Sequence, residues 1–124
     1  MVMDRIRWIE FKKKRILIED FSKLGPGAEL VNVLSLAHVM ICSEPLGSVK
    51  CIVDATDAHF ILEDYQVMED FVASNTPYIK VAALVGMNGF MKIAAKDISK
   101  NTGRSFHLFN TREEALEYLV ENYA

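Results

Sequence analysis

The densest group of polar side chains in the sequence lies at and just after the apolar segment Val49–Asp54. A carboxylate can orient an imidazole that titrates near neutral pH, so Asp54 and His59 are candidates for general acid–base chemistry. Thr56 and Asp57 complete the group, which has neither a Ser or Cys nucleophile beside it nor a standard metal-ligand spacing. Aspartate and threonine after a strand are also typical of a tight loop and a helix cap. Catalytic and structural interpretations both remain open.

A second candidate turn follows the apolar segment that ends at residue 85. Gly86, Asn88 and Gly89 lie between a predicted strand and a predicted helix, where their backbone can line the same edge as Asp54. Met87 and Phe90 add apolar side chains, and methionine-rich surfaces adapt to varied partners. Phe90 can alternatively pack into the core from the start of its helix.

Two further patterns are better explained by structure than by chemistry. His38 and Cys42 are four residues apart on a predicted helix, but catalysis or metal binding needs more ligands or an orienting group. We therefore expect a half-buried helix surface there. Gly25-Pro26-Gly27 precedes a helix but lacks the lysine and the spacing of a phosphate-binding loop, so we interpret it as a turn. No cofactor and no metal are predicted.

Composition narrows the class of protein. The chain has 124 residues, of which 51% are hydrophobic and 25% charged, and its net charge is −3. These values exclude a disordered chain and fit one domain spanning 1–124. Nucleic-acid binders show a basic excess or stripe, whereas the only basic run here is Lys12-Lys13-Lys14-Arg15, which we interpret as a solvated turn. No nucleic-acid partner is predicted.

The location of the protein is predicted from what the sequence lacks. Its N-terminal residues are charged and contain no apolar core of a signal peptide. No stretch approaches the ~20 apolar residues of a membrane span, so no integral membrane segment is expected. Cys42 and Cys51 fall in different elements and suit small buried side chains in a reducing compartment. We therefore predict a cytoplasmic protein.

Periodicity predicts the order β-β-α-β-α-β-α-β-α. The strands are expected at 5–12, 15–21, 48–55, 78–85 and 106–109, and the helices at 28–43, 61–74, 90–100 and from 111 onward. Gly103 suits a left-handed helix cap, and Thr111 with Glu114 forms a capping box. Alternating strands and helices predict an α/β fold with a mostly parallel five-stranded sheet and an antiparallel first strand.

Side chains alternate across each strand, which predicts two faces for the sheet. We expect one face to be wholly apolar and to lie beneath the helices, with the members Ile16, Ile18, Cys51, Val53, Val81, Ala83 and Val85. The other face is mixed and needs a cover, which can be a further helix, a second subunit or an apolar ligand.

Three segments of the chain together resemble a known family. They are S-V-K-C-I-V-D-A-T-D-A-H-F, N-T-P-Y-I-K-V-A-A-L-V-G-M-N-G and T-G-R-S-F-H-L-F-N-T-R-E-E-A-L-E-Y-L. They are similar to small STAS-like, or anti-sigma-factor-antagonist-like (SpoIIAA-like), domains, whose superfamily also contains the lipid-binding CRAL-TRIO domains. The resemblance covers nearly the whole chain and implies a βα superhelix with strands in roughly sequential order.

Regulatory STAS domains have a strand ending in Asp and then an Asp-Ser pair that opens a helix, where a kinase phosphorylates the serine. Asp54 matches the strand end and Thr56 the small hydroxyl position. Leu62 and Glu63 stand where the Asp-Ser pair would be, so the phosphoacceptor is missing. Glu63 can imitate a phosphorylated serine or serve only as a favourable acid in the first helical turn.

Three functions remain open. The first is a non-catalytic interaction or regulatory module that binds a protein partner, or itself as a homodimer, through a rim. We define this predicted rim by nine residues: Asp54, Thr56, Asp57, His59, Glu63, Gly86, Met87, Asn88 and Phe90. The second is a binder or sensor of a small apolar or lipid-like ligand on the mixed face, through Leu17, Ile52, Ala82 and Leu84. The third is a small enzyme that uses Asp54 and His59.

Overall fold

The structure is a computed structural model that describes residues 2–123. Its strands are β1 (Ile6–Phe11), β2 (Lys14–Asp20), β3 (Val49–Asp54), β4 (Ile79–Val85) and β5 (Phe106–Phe109). Its helices are α1 (Val2–Arg5, a single turn), α2 (Ala28–Cys42), α3 (Tyr65–Asn75), α4 (Gly89–Thr102) and α5 (Arg112–Asn122). Apart from α1, each element lies within a few residues of its predicted position.

The five strands form one sheet in the order β1-β2-β3-β4-β5. β1 pairs antiparallel with β2, and every later pair is parallel. Helical crossovers join β2, β3, β4 and β5, and this is the connection that parallel neighbours require. The predicted α/β class, the sequential strand order and the antiparallel first strand are confirmed.

The basic run lies in the tight turn between β1 and β2. Lys12 and Lys13 have φ angles of 49° and 68°, the left-handed backbone typical of a two-residue hairpin turn. Both side chains are exposed, and Lys12 forms an ion pair with Glu117 at 2.9 Å. The run is therefore a solvated turn, as the sequence indicates.

Each face of the sheet has its own apolar core. Helix α2 packs with the face of β2 and β3 that carries Leu17 and Cys51. Helix α5 covers the opposite face through Ala115 and Leu119. That opposite face is formed by Ile16, Ile18, Ile52, Val81, Ala83 and Val85. The mixed face therefore needs no second subunit as a cover, because the chain covers both sides itself.

Our assignment of side chains to faces is wrong for β3. The register pairs Leu17 with Cys51 and Ile18 with Ile52, so Cys51 and Val53 share a face with Leu17 and not with Ile18. The physical reason is that a shift of one residue in the pairing register moves every side chain of a strand to the other face of the sheet. Periodicity gives the alternation within a strand but not its phase relative to the neighbouring strand.

The helix ends largely follow the sequence signals. Thr111 Oγ1 accepts from the Glu114 amide at 3.2 Å, and the Thr111 amide donates to Glu114 at 3.1 Å, which completes the predicted capping box. Gly103 ends α4 with a φ of 77°. Helix α3 begins later than predicted, because a 3₁₀ turn over Leu62–Asp64 precedes it. None of the helices within residues 2–123 is both long and apolar enough to span a bilayer.

Candidate functional site

The loops after β2 and β3 repeat one local arrangement. In both, a strand-final aspartate accepts two hydrogen bonds from a hydroxyl residue two positions later. Asp20 Oδ1 accepts from the Ser22 amide at 2.9 Å and from its hydroxyl. Asp54 Oδ1 accepts from the Thr56 amide at 3.0 Å and from its hydroxyl at 2.6 Å. Because Asp20 and Asp54 are paired in the sheet register, the two turns lie side by side.

Arg112, the first residue of α5, binds both aspartates. Its Nε donates to Asp54 Oδ2 at 2.7 Å, and its Nη2 lies 3.3 Å from Asp20 Oδ2. Burial raises the pKa of Asp54, but hydrogen bonds from Thr56 and Arg112 outweigh it and hold that pKa below its usual value. Asp54 is only 7% exposed, so it does not reach the accessible edge where we expected it. It anchors the last helix to the sheet.

The loop after Asp54 and the turn at Gly86 do lie together, as predicted. The Ala55 amide donates to the Val85 carbonyl at 2.9 Å. Gly86 has a φ of 73°, and a Cβ on it would lie 2.8 Å from the Thr56 Cα. Only glycine fits this contact without strain. Thr56 and Asp57 remain exposed beside it.

An apolar pocket of about 400 Å³ opens on the other side of the sheet from Arg112. Its floor consists of side chains of the sheet face that carries Leu17, including Val53, Leu84 and Phe106. Helices α3 and α4 form its outer wall with Met68, Phe71, Val72, Met91, Ala94, Ala95 and Ile98. A pocket of this size, apolar and with few polar groups, is typical of small-molecule sites.

Hydrogen bonds between α3 and α4 hold the outer wall together. The Tyr65 hydroxyl donates to Asp97 at 2.7 Å, and the Asn101 amide donates to Glu69 at 2.9 Å. Tyr65 itself lines the pocket. These contacts fix the spacing of the two helices above the sheet.

The pocket gathers part of the predicted rim. His59, Met87, Asn88 and Phe90 line it, whereas the other five members do not. Asn88 also caps α4 by accepting from the Met91 amide at 2.9 Å. Phe90 is 48% exposed, so it is not a core side chain.

Asp54 and His59 are not assembled as an acid–base pair. Asp54 lies on the face covered by α5 and is bound to Arg112, while His59 lines the pocket on the opposite face. Within residues 2–123 no hydrogen bond or ion pair joins their side chains, and no three His, Cys, Asp or Glu side chains converge as metal ligands. Glu63 is exposed on its 3₁₀ turn and does not line the pocket.

The sequence analysis missed the most unusual residue of the site. Glu19 lines the pocket floor, is 1% exposed, and has an Oε1 atom with no hydrogen-bond partner among the described residues. Burial raises the pKa of Glu19 to about 7, against the opposing effects of the neighbouring Cys51 thiol and of the Arg104 charge. In the segment I-L-I-E-D, alternation places Glu19 on the same face as the apolar Leu17 and places Asp20 on the opposite face. A charged residue on a face of apolar side chains was the sequence signal that could have identified Glu19.

Arg104 also lines the pocket and is 8% exposed. Its Nη2 donates to the Val72 carbonyl at 3.0 Å, and its Nε donates to the Thr76 hydroxyl at 3.3 Å. These bonds hold a positive charge near Glu19 without a direct ion pair between them. Buried charges of this kind in a concave site are frequent markers of function.

His38 and Cys42 occupy the half-buried helix surface that we expected. Cys42 Sγ lies 3.5 Å from His38 Nε2, and His38 Nδ1 lies 2.7 Å from Asn75 Oδ1. Both cysteines are free thiols, with Cys51 fully buried. The contacts link α2 to the end of α3 and need no further role.

Comparisons with known proteins define the fold and nothing finer. No protein-family model and no curated protein matches the sequence. Among solved structures, the chain is similar to an uncharacterised protein of the DUF3478 family from Shewanella loihica PV-4, described as having a SpoIIAA-like fold. The TM-score is 0.72 at 15% identity, over 92% of this chain and 91% of that one. The predicted SpoIIAA-like fold is thus confirmed, while the link to CRAL-TRIO domains stays a prediction.

Proposed function

We propose that this protein is a cytoplasmic, non-catalytic binder or sensor of a small apolar or lipid-like molecule. The supporting observation is the pocket of about 400 Å³ between the sheet and the helices α3 and α4. Its walls are predominantly side chains of Leu, Ile, Val, Ala, Met and Phe. Burying apolar ligand surface against such walls is worth roughly 25 cal/mol per Å² before the entropic cost of binding.

The surroundings of the pocket support the same function. Ile61 and Phe90 line it and are each 48% exposed, so apolar surface continues from the interior to the solvent. A closed core would instead bury these side chains. A ligand that enters between the 3₁₀ turn and the start of α4 would cover both of them.

Binding of a neutral fluorescent dye tests this function directly. Nile red should bind the purified protein with increased fluorescence, and native mass spectrometry should detect apolar molecules that co-purify. Ala95→Phe places a ring in the pocket and should abolish dye binding. Ala73→Phe on the exposed side of α3 is the matched control and should leave it unchanged.

The proposal fails if Nile red binds neither form, or if Ala95→Phe binds it as tightly as the unaltered protein does. Circular dichroism of each variant establishes that the fold is intact. If Nile red bound only an unfolded fraction of the protein, its fluorescence would fall when that fraction was refolded.

A protein-interaction module is the second candidate, because several large apolar side chains outside the pocket are exposed, of which Leu62 and Ile93 are the most exposed among the described residues. Leu62 is 75% exposed and Ile93 is 73% exposed. We propose that this apolar surface, with the exposed Asp57 and His59, forms the contact of a homodimer. Sedimentation equilibrium should then show a dimer that Leu62→Ser with Ile93→Ser converts to monomers. A monomer at all concentrations would remove this candidate.

A further inference from the structure

We infer that the molecule held in the pocket is an apolar alcohol or phenol, whose hydroxyl group donates a hydrogen bond to Oε1 of Glu19. This inference rests on the proposed function, since it names the class of ligand for the same pocket. It depends on one buried acceptor and on the charges that surround it.

The carboxyl group of Glu19 provides a buried hydrogen-bond acceptor in the pocket. Glu19 belongs to the pocket face of β2, and its side chain forms part of the pocket lining. Oε1 of its carboxyl group has no hydrogen-bond partner among the described residues. Buried polar atoms almost always find a hydrogen-bond partner, and an unsatisfied one destabilises the fold. A donor on the ligand would supply the missing bond.

The charges around the pocket select a neutral donor. Arg104 already provides a positive charge at this end of the pocket, so an ammonium ligand would meet a like charge there. A carboxylate ligand would meet Glu19 itself and would bring no donor once ionised. A charged group would also have to leave water for an apolar site, at high cost.

A hydroxyl group also suits both protonation states of Glu19. Burial raises the pKa of this residue to about 7, so both forms are populated near neutral pH. A hydroxyl donates to the ionised form and can accept from the protonated form. An ether of the same length can only accept, which makes it the matched control ligand.

Four probes with eight carbon atoms each test the inference: octan-1-ol, heptyl methyl ether, octylamine and octanoic acid. Displacement of Nile red, cross-checked by isothermal titration calorimetry at pH 7.5, gives their dissociation constants. We expect octan-1-ol to bind about tenfold more tightly than the ether, which is the effect of one hydrogen bond to a buried acceptor. The amine and the acid should bind more weakly than the alcohol.

Variants at Glu19 attribute the preference to this residue. Glu19→Met keeps the pocket apolar and should lose the tenfold preference for the alcohol while the ether binds as before. Glu19→Gln keeps an acceptor oxygen and should retain part of the preference, which guards against a failure of the methionine variant to fold.

The results of these measurements distinguish a failure of the inference from a failure of the proposed function. Equal binding of alcohol and ether by the unaltered protein, or a preference unchanged in Glu19→Met, would overturn the inference and leave the apolar-pocket function standing. Tighter binding of the amine or the acid would overturn it in the same way. If no probe binds a folded protein, the proposed function itself fails.

Discussion

Replacing Glu19 with glutamine should change how the stability of the protein depends on pH. The pKa of Glu19 is about 7 in the folded protein against 4.5 for the free side chain, because burial disfavours the charged form. A raised acid pKa means that the folded state holds its proton where the unfolded state has lost it. Between pH 4.5 and 7 the contribution of Glu19 to the free energy of unfolding therefore falls as pH rises, and above pH 7 that loss is complete.

The size of that loss follows from the shift. A difference of one in pKa corresponds to 1.36 kcal/mol, so a pKa of about 7 in the folded protein against 4.5 in the unfolded protein amounts to roughly 3 kcal/mol. Glutamine has nearly the same shape and never ionises. The stability of Glu19→Gln relative to the unaltered protein should therefore increase by about 3 kcal/mol between pH 4.5 and pH 8, whatever its offset at pH 4.5.

Urea denaturation at half-unit steps from pH 4.5 to 8.5 measures this difference, because contributions of all other groups cancel between the two proteins. Glu63→Gln is the control, since Glu63 is exposed. The stability difference for Glu19→Gln should change with pH by about 3 kcal/mol more than the difference for this control. Equal changes in the two variants would refute the reasoning, since Glu19 would then be solvated or paired in the folded state.

The remaining predictions concern the anchors of the fold, and the free energy of unfolding in urea checks each of them. Gly86→Ala should cost about 2 kcal/mol or more, because the new Cβ would contact the Thr56 backbone at a φ of 73°. Gly25→Ala, which has open space around it, is the control and should be nearly neutral. Equal costs for the two variants would contradict this explanation. Arg112→Gln should cost about 2 kcal/mol at pH 7 by leaving two partly buried carboxylates unpaired. The pKa values of Asp20 and Asp54 are lowered in the folded protein, so the stability lost in Arg112→Gln should become smaller as acid protonates both carboxylates. The control is Lys12→Gln, which removes the exposed ion pair with Glu117 and should cost under ~1 kcal/mol. Thr111→Ala should cost about 1 kcal/mol through loss of the helix cap, and a neutral result would mean that water replaces it.

Local sequence signals were sufficient for the elements and their order. Gly103 and Thr111 are read correctly because a helix cap depends on one or two neighbouring residues. Parallel pairing follows from alternation of strands and helices, which is also a local pattern. The faces of β3 were assigned wrongly, since register is set by contacts between distant segments.

The candidate site was predicted only in part, for a related reason. His59 and Phe90 were found because polar or apolar residues in loops after strands stand out in the sequence. Glu19 was missed because one acid within an apolar strand looks like a strand end until its depth is known. Arg112 was missed because its role depends on two aspartates, one of them 58 residues earlier in the chain.

The position of Arg112 after all five strands has a consequence for synthesis on the ribosome. The sheet face that carries Ile18, Ile52 and Val85 is covered by α5, the last helix of the described residues. Until that helix has left the exit tunnel, a nascent chain presents a bare apolar sheet face and two aspartates without their counter-charge. Chaperones that hold exposed hydrophobic segments would therefore be needed most between the synthesis of β4 and the emergence of α5.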